Sequence, residues 1–202
     1  MAIRDRVRQI KHLQNKNFVC VLEAPKNAAN IASAMRNVSA FGVEKLYVIG
    51  DQEVVRDFET ARTNRRLASA SVGASKWVFV RQFASTADCV AHLRSNGFTI
   101  AVTSPHAQDK ANVNLYEGTF TQKKLAVVFG NEAAGISDEA LTGADMCIQV
   151  PMGGIVESLN LGTSTGIILS YISYQRLRFV FDRGRAKDLA GARTFEEFLQ
   201  ER

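Results

Sequence analysis

The alternation of short apolar runs with helical patterns is the feature that most constrains the fold of this chain. Six runs of four or five residues are typical of buried strands: Phe18–Leu22, Leu46–Ile49, Trp77–Val80, Phe98–Val102, Leu125–Phe129 and Met146–Val150. Apolar residues at helical spacing lie between these runs at Asn27–Phe41 and Ala87–Arg94, and after the last run at Ser158–Phe181. Strands that alternate with helices predict an α/β fold, a six-stranded parallel sheet with helices on both faces.

The length of 202 residues suits one domain with short appendages. We expect a basic N-terminal extension at residues 1–17, a main domain at 18–181 and a polar tail at 182–202. The tail contains a short amphipathic stretch, Phe195–Leu199. The segment Val54–Gly73 has no clear period and predicts a loop with short helical pieces.

Several classes of protein are disfavoured by what the sequence lacks. No apolar run reaches the roughly 18–20 residues of a membrane span, and no apolar stretch follows the charged N-terminus as in a signal peptide. Cys20, Cys89 and Cys147 are odd in number and far apart, so we expect reduced core cysteines, no metal site and a cytoplasmic protein. The glycine signatures of dinucleotide dehydrogenases and P-loop NTPases are missing, as is the nucleophile elbow of hydrolases.

Three polar turns follow predicted strands, where parallel sheets bind their ligands. They are Asn27–Asn37, Phe129–Gly135 and Pro151–Gly162. Each turn supplies backbone N–H and C=O groups that suit a small polar ligand. Taken singly, each also has a plain structural interpretation, with Asn30 and Asn160 as helix caps and Arg36 as a surface residue.

Together the three turns resemble a known family. The pattern N-x(5)-R from Asn30 to Arg36, F-G-N-E-x-x-G from Phe129 to Gly135 and P-M-x(5)-S-L-N from Pro151 to Asn160 is similar to the three motifs of SpoU/TrmH-type SPOUT RNA 2′-O-ribose methyltransferases. The resemblance covers about Phe18 to Gln175. It departs from the family pattern at Ala32, where glycine is common, and at Leu161-Gly162, where a hydroxyl residue is frequent.

The resemblance implies a deep trefoil knot in the C-terminal part of the sheet, a rare exception to the absence of knots in proteins. It also implies a homodimer that holds S-adenosylmethionine in the knot and methylates a ribose 2′-OH of tRNA or rRNA. The cofactor residues implied are Thr103, Gly130, Val150, Met152, Ser158 and Leu159. Two alternatives stay open: a knotted RNA-binding protein that lost catalysis, and an RNA base methyltransferase of the same superfold.

The catalytic residues implied by the resemblance are Arg36, Asn30, Glu132, Ser158 and Asn160. The family often casts the arginine as the base, but a guanidinium does not readily lose its proton. We expect Arg36 to fix a phosphate and stabilise the developing alkoxide instead, while Glu132 orients its neighbours.

Three basic clusters accompany a formal net charge of +5. The first includes Arg4, Arg6 and Arg8, the second Arg62, Arg65 and Arg66, and the third runs from Arg176 to Lys187. Such clusters are typical of phosphate-backbone binding, although solvated helix faces would give the same pattern. We expect the first two to bind RNA.

The helical patterns at Asn27–Phe41 and Ser158–Phe181 carry more apolar residues than one face against a sheet requires. This surplus predicts that both helices form the homodimer interface. The residues concerned are Met35, Phe41, Ile168, Leu169, Tyr171 and Ile172.

Overall fold

Strands and helices alternate through the computed structural model of the protein, which describes residues 14–50, 58–104, 112–183 and 194–200. The strands are β1 (Asn15–Glu23), β2 (Val43–Ile49), β3 (Phe79–Phe83), β4 (Thr99–Thr103), β5 (Asn112–Asn114), β6 (Leu125–Phe129) and β7 (Met146–Gln149). The helices are α1 (Ala28–Ala40), α2 (Phe58–Thr63), α3 (Arg65–Ala70), α4 (Thr86–Ser95), α5 (Asp138–Thr142), α6 (Leu161–Asp182) and α7 (Phe195–Gln200), with a 3₁₀ turn at Ala74–Lys76.

All seven strands pair in parallel in the order β3-β2-β1-β6-β4-β7-β5. The α/β class and the parallel sheet are therefore confirmed, but the prediction of six strands is wrong. The additional strand is β5, which pairs with β7 at one edge of the sheet. Its sequence, Asn-Val-Asn, joins the sheet through backbone pairing and through a hydrogen bond from Asn112 Nδ2 to Gln149 Oε1 at 2.9 Å, so no apolar run marks it.

Helices cover both faces of the sheet, as the apolar periods predict. Along β1, Phe18, Cys20 and Leu22 point into the core under α1 and α6, whereas Val19 and Val21 point into the core under α4 and α5. This period of two places successive side chains of a strand on opposite faces. It explains why a strand buried on both faces appears as a continuous apolar run.

Polar caps decide where the two main helices begin. Asn27 caps α1 by accepting a hydrogen bond from the backbone N–H of Ala29 at 2.7 Å. Asn160 caps α6 in the same way through Gly162 N–H, so this helix begins at Leu161, three residues later than its apolar pattern predicts. Residues 158–160 are consequently extended and exposed. They are free to line a site.

The irregular segment and the tail follow their predictions in part. Two short helices, α2 and α3, form within Val54–Gly73, of which residues 54–57 lie outside the described part. The tail helix α7 buries Phe195 against the rings of Tyr174 and Phe181, with Arg178 over its face at 5.0 Å. Strand β1 begins at Asn15, within the stretch expected to be an extension.

The surplus of apolar residues on α1 and α6 is explained within the chain. Met35, Ile168, Leu169 and Ile172 are all fully or almost fully buried in the core, because the two helices pack on each other as well as on the sheet. These four residues are therefore core residues and do not indicate a dimer interface, while a homodimer interface formed by the two helices stays a prediction. Phe41 and Tyr171 are half-buried against the same core.

Three further expectations concern the cysteines, membrane-spanning helices and metal ligands. All three cysteines are free and buried. Within the described ranges, no helix combines the length and the apolar character that crossing a bilayer requires. The same ranges hold no cluster of His, Cys, Asp and Glu side chains suited to a metal ion.

Candidate active site

A cavity of about 420 Å³ opens at the carboxyl ends of β4, β6 and β7, three adjacent strands of the sheet. Its floor comes from the last residues of these strands, and its outer wall is the loop that precedes α6. All six residues implied to bind the cofactor line it: Thr103, Gly130, Val150, Met152, Ser158 and Leu159. The structure thus brings together side chains from three distant segments of the sequence.

The turn after β6 folds back tightly on itself to form one side of the cavity. A Cβ atom on Gly130 would lie 2.2–2.4 Å from backbone atoms of Gly135 and Ile136, so only glycine fits there. The Asn131 side chain accepts hydrogen bonds from the N–H groups of Ala133 (2.9 Å) and Ala134 (2.7 Å). These contacts hold Glu132 at the rim of the cavity.

Glu132, Asn30 and Asn160 form one hydrogen-bonded network. Asn30 Nδ2 donates to the Glu132 carboxylate, and Asn160 Nδ2 donates to Asn30 Oδ1 at 3.1 Å. The backbone N–H of Lys26 donates to Glu132 Oε2 at 3.1 Å. One residue from each of the three turns therefore meets at a single point.

The network determines the protonation state of Glu132. Desolvation raises the pKa of this carboxyl, but hydrogen bonds from Asn30 and from the N–H groups of Glu132 and Lys26, together with the Lys26 charge, outweigh it and lower the pKa. The ionised form is stabilised, and a carboxylate with a lowered pKa is a weaker proton acceptor. Glu132 is accordingly suited to orienting its neighbours.

Close packing of α1 on α6 positions Asn160. A Cβ atom on Gly162 would lie 2.4 Å from Ser33 Oγ, so the two helices approach at this glycine. Asn37 Nδ2 donates to Gly162 O at 2.8 Å and to Thr165 Oγ1 at 2.9 Å. The departure from the family motif at Gly162 therefore has a steric role, which the sequence pattern alone did not reveal.

Glu23 is a second residue that the sequence interpretation missed. Its buried carboxylate accepts hydrogen bonds from Thr86 Oγ1 (2.6 Å), Ser137 Oγ (2.6 Å) and Ser137 N (2.9 Å). Ser137 caps α5 directly after the Glu132 turn, so Glu23 joins the end of β1 to that turn. A charged residue at the end of an apolar strand was the available signal.

Arg36 stands apart from this network. It lies on α1 six residues after Asn30, about 9 Å along the helix axis, and its side chain is exposed. Within the described part of the chain it forms no hydrogen bond or ion pair. The structure therefore places Glu132 and Ser158 in the cavity lining and joins Asn30 and Asn160 to Glu132 at its rim. It leaves Arg36 on the solvent side of α1.

The basic clusters differ in their exposure. Arg62, Arg65 and Arg66 are exposed on α2 and α3, whereas Arg4, Arg6 and Arg8 lie outside the described residues. Arg176 of the third cluster is buried. It donates to the carbonyl oxygens of Phe120 and Gln122, and burial lowers its pKa to about 10. Arg176 therefore fastens a loop to α6 and is not part of an exposed basic cluster.

The chemistry of the cavity restricts its ligand. Glu132 and Glu157 lie among the described lining residues, whereas no Lys or Arg does. Apolar walls from Phe129, Ile148 and Val150 suit a flat ring. An uncharged or cationic small molecule fits this lining, while a ligand with several phosphates would lack cationic partners.

Comparison with known proteins agrees with the motifs. The profile of the SpoU rRNA Methylase family matches residues 17–170. A tRNA (guanosine(18)-2′-O)-methyltransferase of Thermus thermophilus is 29% identical over 185 residues, 91% of this chain and 89% of that protein. The crystal structure of the Aquifex aeolicus TrmH/SpoU tRNA modifying enzyme superposes with a TM-score of 0.71 at 26% identity, covering 99% of this chain and 94% of that one.

An S-adenosylmethionine-bound rRNA methyltransferase of Sinorhizobium meliloti has the same fold. It superposes with a TM-score of 0.68 at 21% identity over 82% of this chain and 59% of that one.

Proposed function

Because the chain belongs to the SpoU rRNA methylase family, we propose that it transfers a methyl group from S-adenosylmethionine to a ribose 2′-OH of RNA. The observation that carries this proposal is the cavity at the ends of β4, β6 and β7, lined by all six implied cofactor residues. S-adenosylmethionine supplies an electrophilic methyl group on a positively charged sulfonium. The absence of Lys and Arg from the described lining, with Glu132 at its rim, suits that charge.

The residues around the cavity orient the reacting groups. The apolar walls hold the cofactor's ring, and Thr103 and Ser158 offer hydroxyl groups to its polar atoms. Asn30, held by Glu132, and Asn160, held by Asn30, would lie beside the entering ribose. Alignment of the 2′-oxygen with the methyl carbon removes much of the entropic barrier.

Arg36 would act from the RNA side. Its exposed guanidinium can bind the phosphate of the target nucleotide and stabilise negative charge on the attacking oxygen. The proton of the 2′-OH would then pass to water, because a guanidinium is not a proton acceptor and hydrogen bonding makes the Glu132 carboxylate a weaker one.

We propose tRNA as the substrate, because the Thermus relative, which aligns over most of both chains, is named for guanosine 18 of tRNA. The test is to incubate the protein with S-adenosylmethionine and an unmodified tRNA transcript and to analyse the nucleosides by mass spectrometry. A 2′-O-methylguanosine from position 18 is expected. A methyl group on a base would instead indicate a base methyltransferase. RNA binding without any methylated product would indicate a knotted RNA-binding protein that lost catalysis.

A homodimer is part of the proposal. Four apolar side chains of the loop at residues 151–160 are exposed, with Ile155 fully so. The other three are Met152, Val156 and Leu159. Exposed apolar residues in one loop mark an interaction surface. We expect light scattering to report a dimer at micromolar concentration, and I155D, which alters no cavity-lining residue, to shift it to a monomer with little activity. An active monomer would contradict this.

The exposed cluster of Arg62, Arg65 and Arg66 is proposed to contact RNA phosphates. Each phosphate contact contributes a slope of roughly −0.7 to −0.9 in log K against log salt. We expect R62Q/R65Q/R66Q to weaken tRNA binding and to flatten this slope by about two units, measured by filter binding at several salt concentrations. S-adenosylmethionine affinity should not change, since none of the three lines the cavity. An unchanged slope would mean that these are solvated helix faces.

The trefoil knot implied by the family is likewise proposed. In the sheet, β7 lies between β4 and β5, and α6 then returns to pack on α1 and β1, a path that a knotted chain would take. Pulling a single molecule by its two termini tests the proposal. A knotted chain stops short of its full contour length, whereas an unknotted chain reaches it.

We also propose a cytoplasmic location, supported by three free cysteines that suit a reducing compartment. Fractionation of the native cells tests it.

A further inference from the structure

The edge of the sheet at β3 carries exposed apolar side chains that the proposed catalysis does not use. Exposure alternates along the chain: Trp77 is 42% exposed and Phe79 45%, while Val78 and Val80 are buried in the core under α1. Val72, just before the 3₁₀ turn, is 70% exposed. Three large apolar side chains are thus exposed within eight residues of sequence. Exposed apolar residues grouped in this way are typical of an interaction surface.

The backbone that presents this surface is strained at one position. Helix α3 ends at Ala70, and Val72 and Gly73 just after it both have positive φ, +55° and +78°. Gly73 N–H donates to Ala68 O at 2.7 Å. Positive φ is a true outlier for a β-branched residue. Such strain persists where the surrounding structure imposes it, and it is common at binding sites.

The charge of the surrounding segment identifies the partner. Residues 60–87 contain five basic residues and no Asp or Glu: Arg62, Arg65, Arg66, Lys76 and Arg81. A second copy of this chain would place like charges opposite one another, which disfavours self-association at this face. RNA offers both phosphates for the cations and bases for an exposed indole ring.

We propose that Trp77 is a stacking platform for an unpaired base of the RNA substrate, with Lys76, Arg65 and Arg66 contacting the flanking phosphates. Bases stack on exposed aromatic side chains with little regard to sequence. Both α3 and the 3₁₀ turn pack against α1, the helix that carries Arg36. Arg36 therefore lies on a helix that packs against the turn directly preceding Trp77. This inference rests on the proposed function and adds to it a second contact outside the cavity.

Trp77 is the only tryptophan of the chain, so its fluorescence reports on this surface alone. We expect titration of the wild-type protein with an unmodified tRNA transcript to quench its emission and to protect it from acrylamide. S-adenosylmethionine alone should leave the emission unchanged, because Trp77 is not among the residues that line the cavity.

Two substitutions separate stacking from a structural role. W77A should weaken tRNA binding about 5- to 150-fold, the range for loss of one stacked base, whereas W77F keeps a ring and should lose less. Stacking releases no counterions, so W77A should leave the salt slope unchanged, in contrast to R62Q/R65Q/R66Q. Equal thermal unfolding temperatures of the three Trp77 forms would confirm that the fold is intact.

The outcomes distinguish this proposal from the proposed function. If the wild type methylates tRNA but its emission does not respond to tRNA and W77A binds normally, the stacking role is overturned while the function stands. In a second case, the Trp77 ring is already shielded from acrylamide in the free protein and becomes accessible on dilution. This result would assign the face to a second copy of the chain and would also overturn the stacking role. Quenching by tRNA without any methyl transfer would support the stacking role and contradict the function.

Discussion

Replacing Arg36 with alanine is expected to lower the rate of methyl transfer on the order of 10²–10³-fold, the typical cost of removing one preorganised donor at the reacting oxygen. The guanidinium would no longer hold the phosphate or stabilise the alkoxide. Because Arg36 is exposed and forms no hydrogen bond or ion pair within the described part of the chain, its loss should leave the unfolding temperature unchanged. The measurement is a single-turnover rate with saturating tRNA and S-adenosylmethionine.

R36K is the informative companion to this variant. Lysine keeps the positive charge but not the planar fork that binds a phosphate through two nitrogens, so its activity should lie between wild type and R36A. Calorimetry should report the same S-adenosylmethionine affinity for all three proteins. Near-normal turnover by R36A would remove Arg36 from the reaction.

The second large effect is expected for Gly130→Ala. A Cβ atom there would lie 2.2–2.4 Å from backbone atoms of Gly135 and Ile136, and backbone cannot move aside as a flexible side chain can. Overpacking of this kind costs about 1–3 kcal/mol or more, and the turn must open at the wall of the cavity to relieve it. Since about 1.4 kcal/mol corresponds to tenfold in affinity, a distortion of this size at the cavity wall should weaken S-adenosylmethionine binding by about 5- to 150-fold.

Gly153→Ala is the matched control for this substitution. A Cβ atom on Gly153 meets no atom within 4 Å, so the same chemical change should leave cofactor affinity as it is in the wild type. Calorimetry on both variants gives the comparison, with thermal unfolding to show that each is folded. If the two variants bind the cofactor equally well, the tight turn after β6 does not shape the site.

Most of the elements were predictable from local sequence. The apolar run at Leu125–Phe129 is a strand as predicted, and the helix predicted at Asn27–Phe41 spans Ala28–Ala40 with Asn27 as its cap. Apolar periodicity is a property of neighbouring residues, so it can be read without knowing the fold. The short strand β5 was missed because backbone pairing with β7 forms it, and that pairing leaves no apolar pattern.

The site was predictable as a set of residues but not as a geometry. The motif resemblance named Asn30, Glu132 and Asn160, and the structure places them in one network. The motif resemblance could not have revealed the structural roles of Glu23 and Gly162. Their roles depend on contacts with Ser137 and Ser33, which are distant in the sequence and become neighbours only when the chain folds.

By itself, the sequence determined the α/β class, the parallel sheet and the three turns that carry the chemistry, because strand and helix periods and turn residues act locally. Only the tertiary structure decided which arginines and which apolar residues are exposed and which are buried. It buried Arg176 and the apolar surplus of α6 in the core and left Trp77 and Arg36 on the surface. The physical reason is that burial depends on which elements pack against each other, and strand order and helix crossings set that packing across distant parts of the chain.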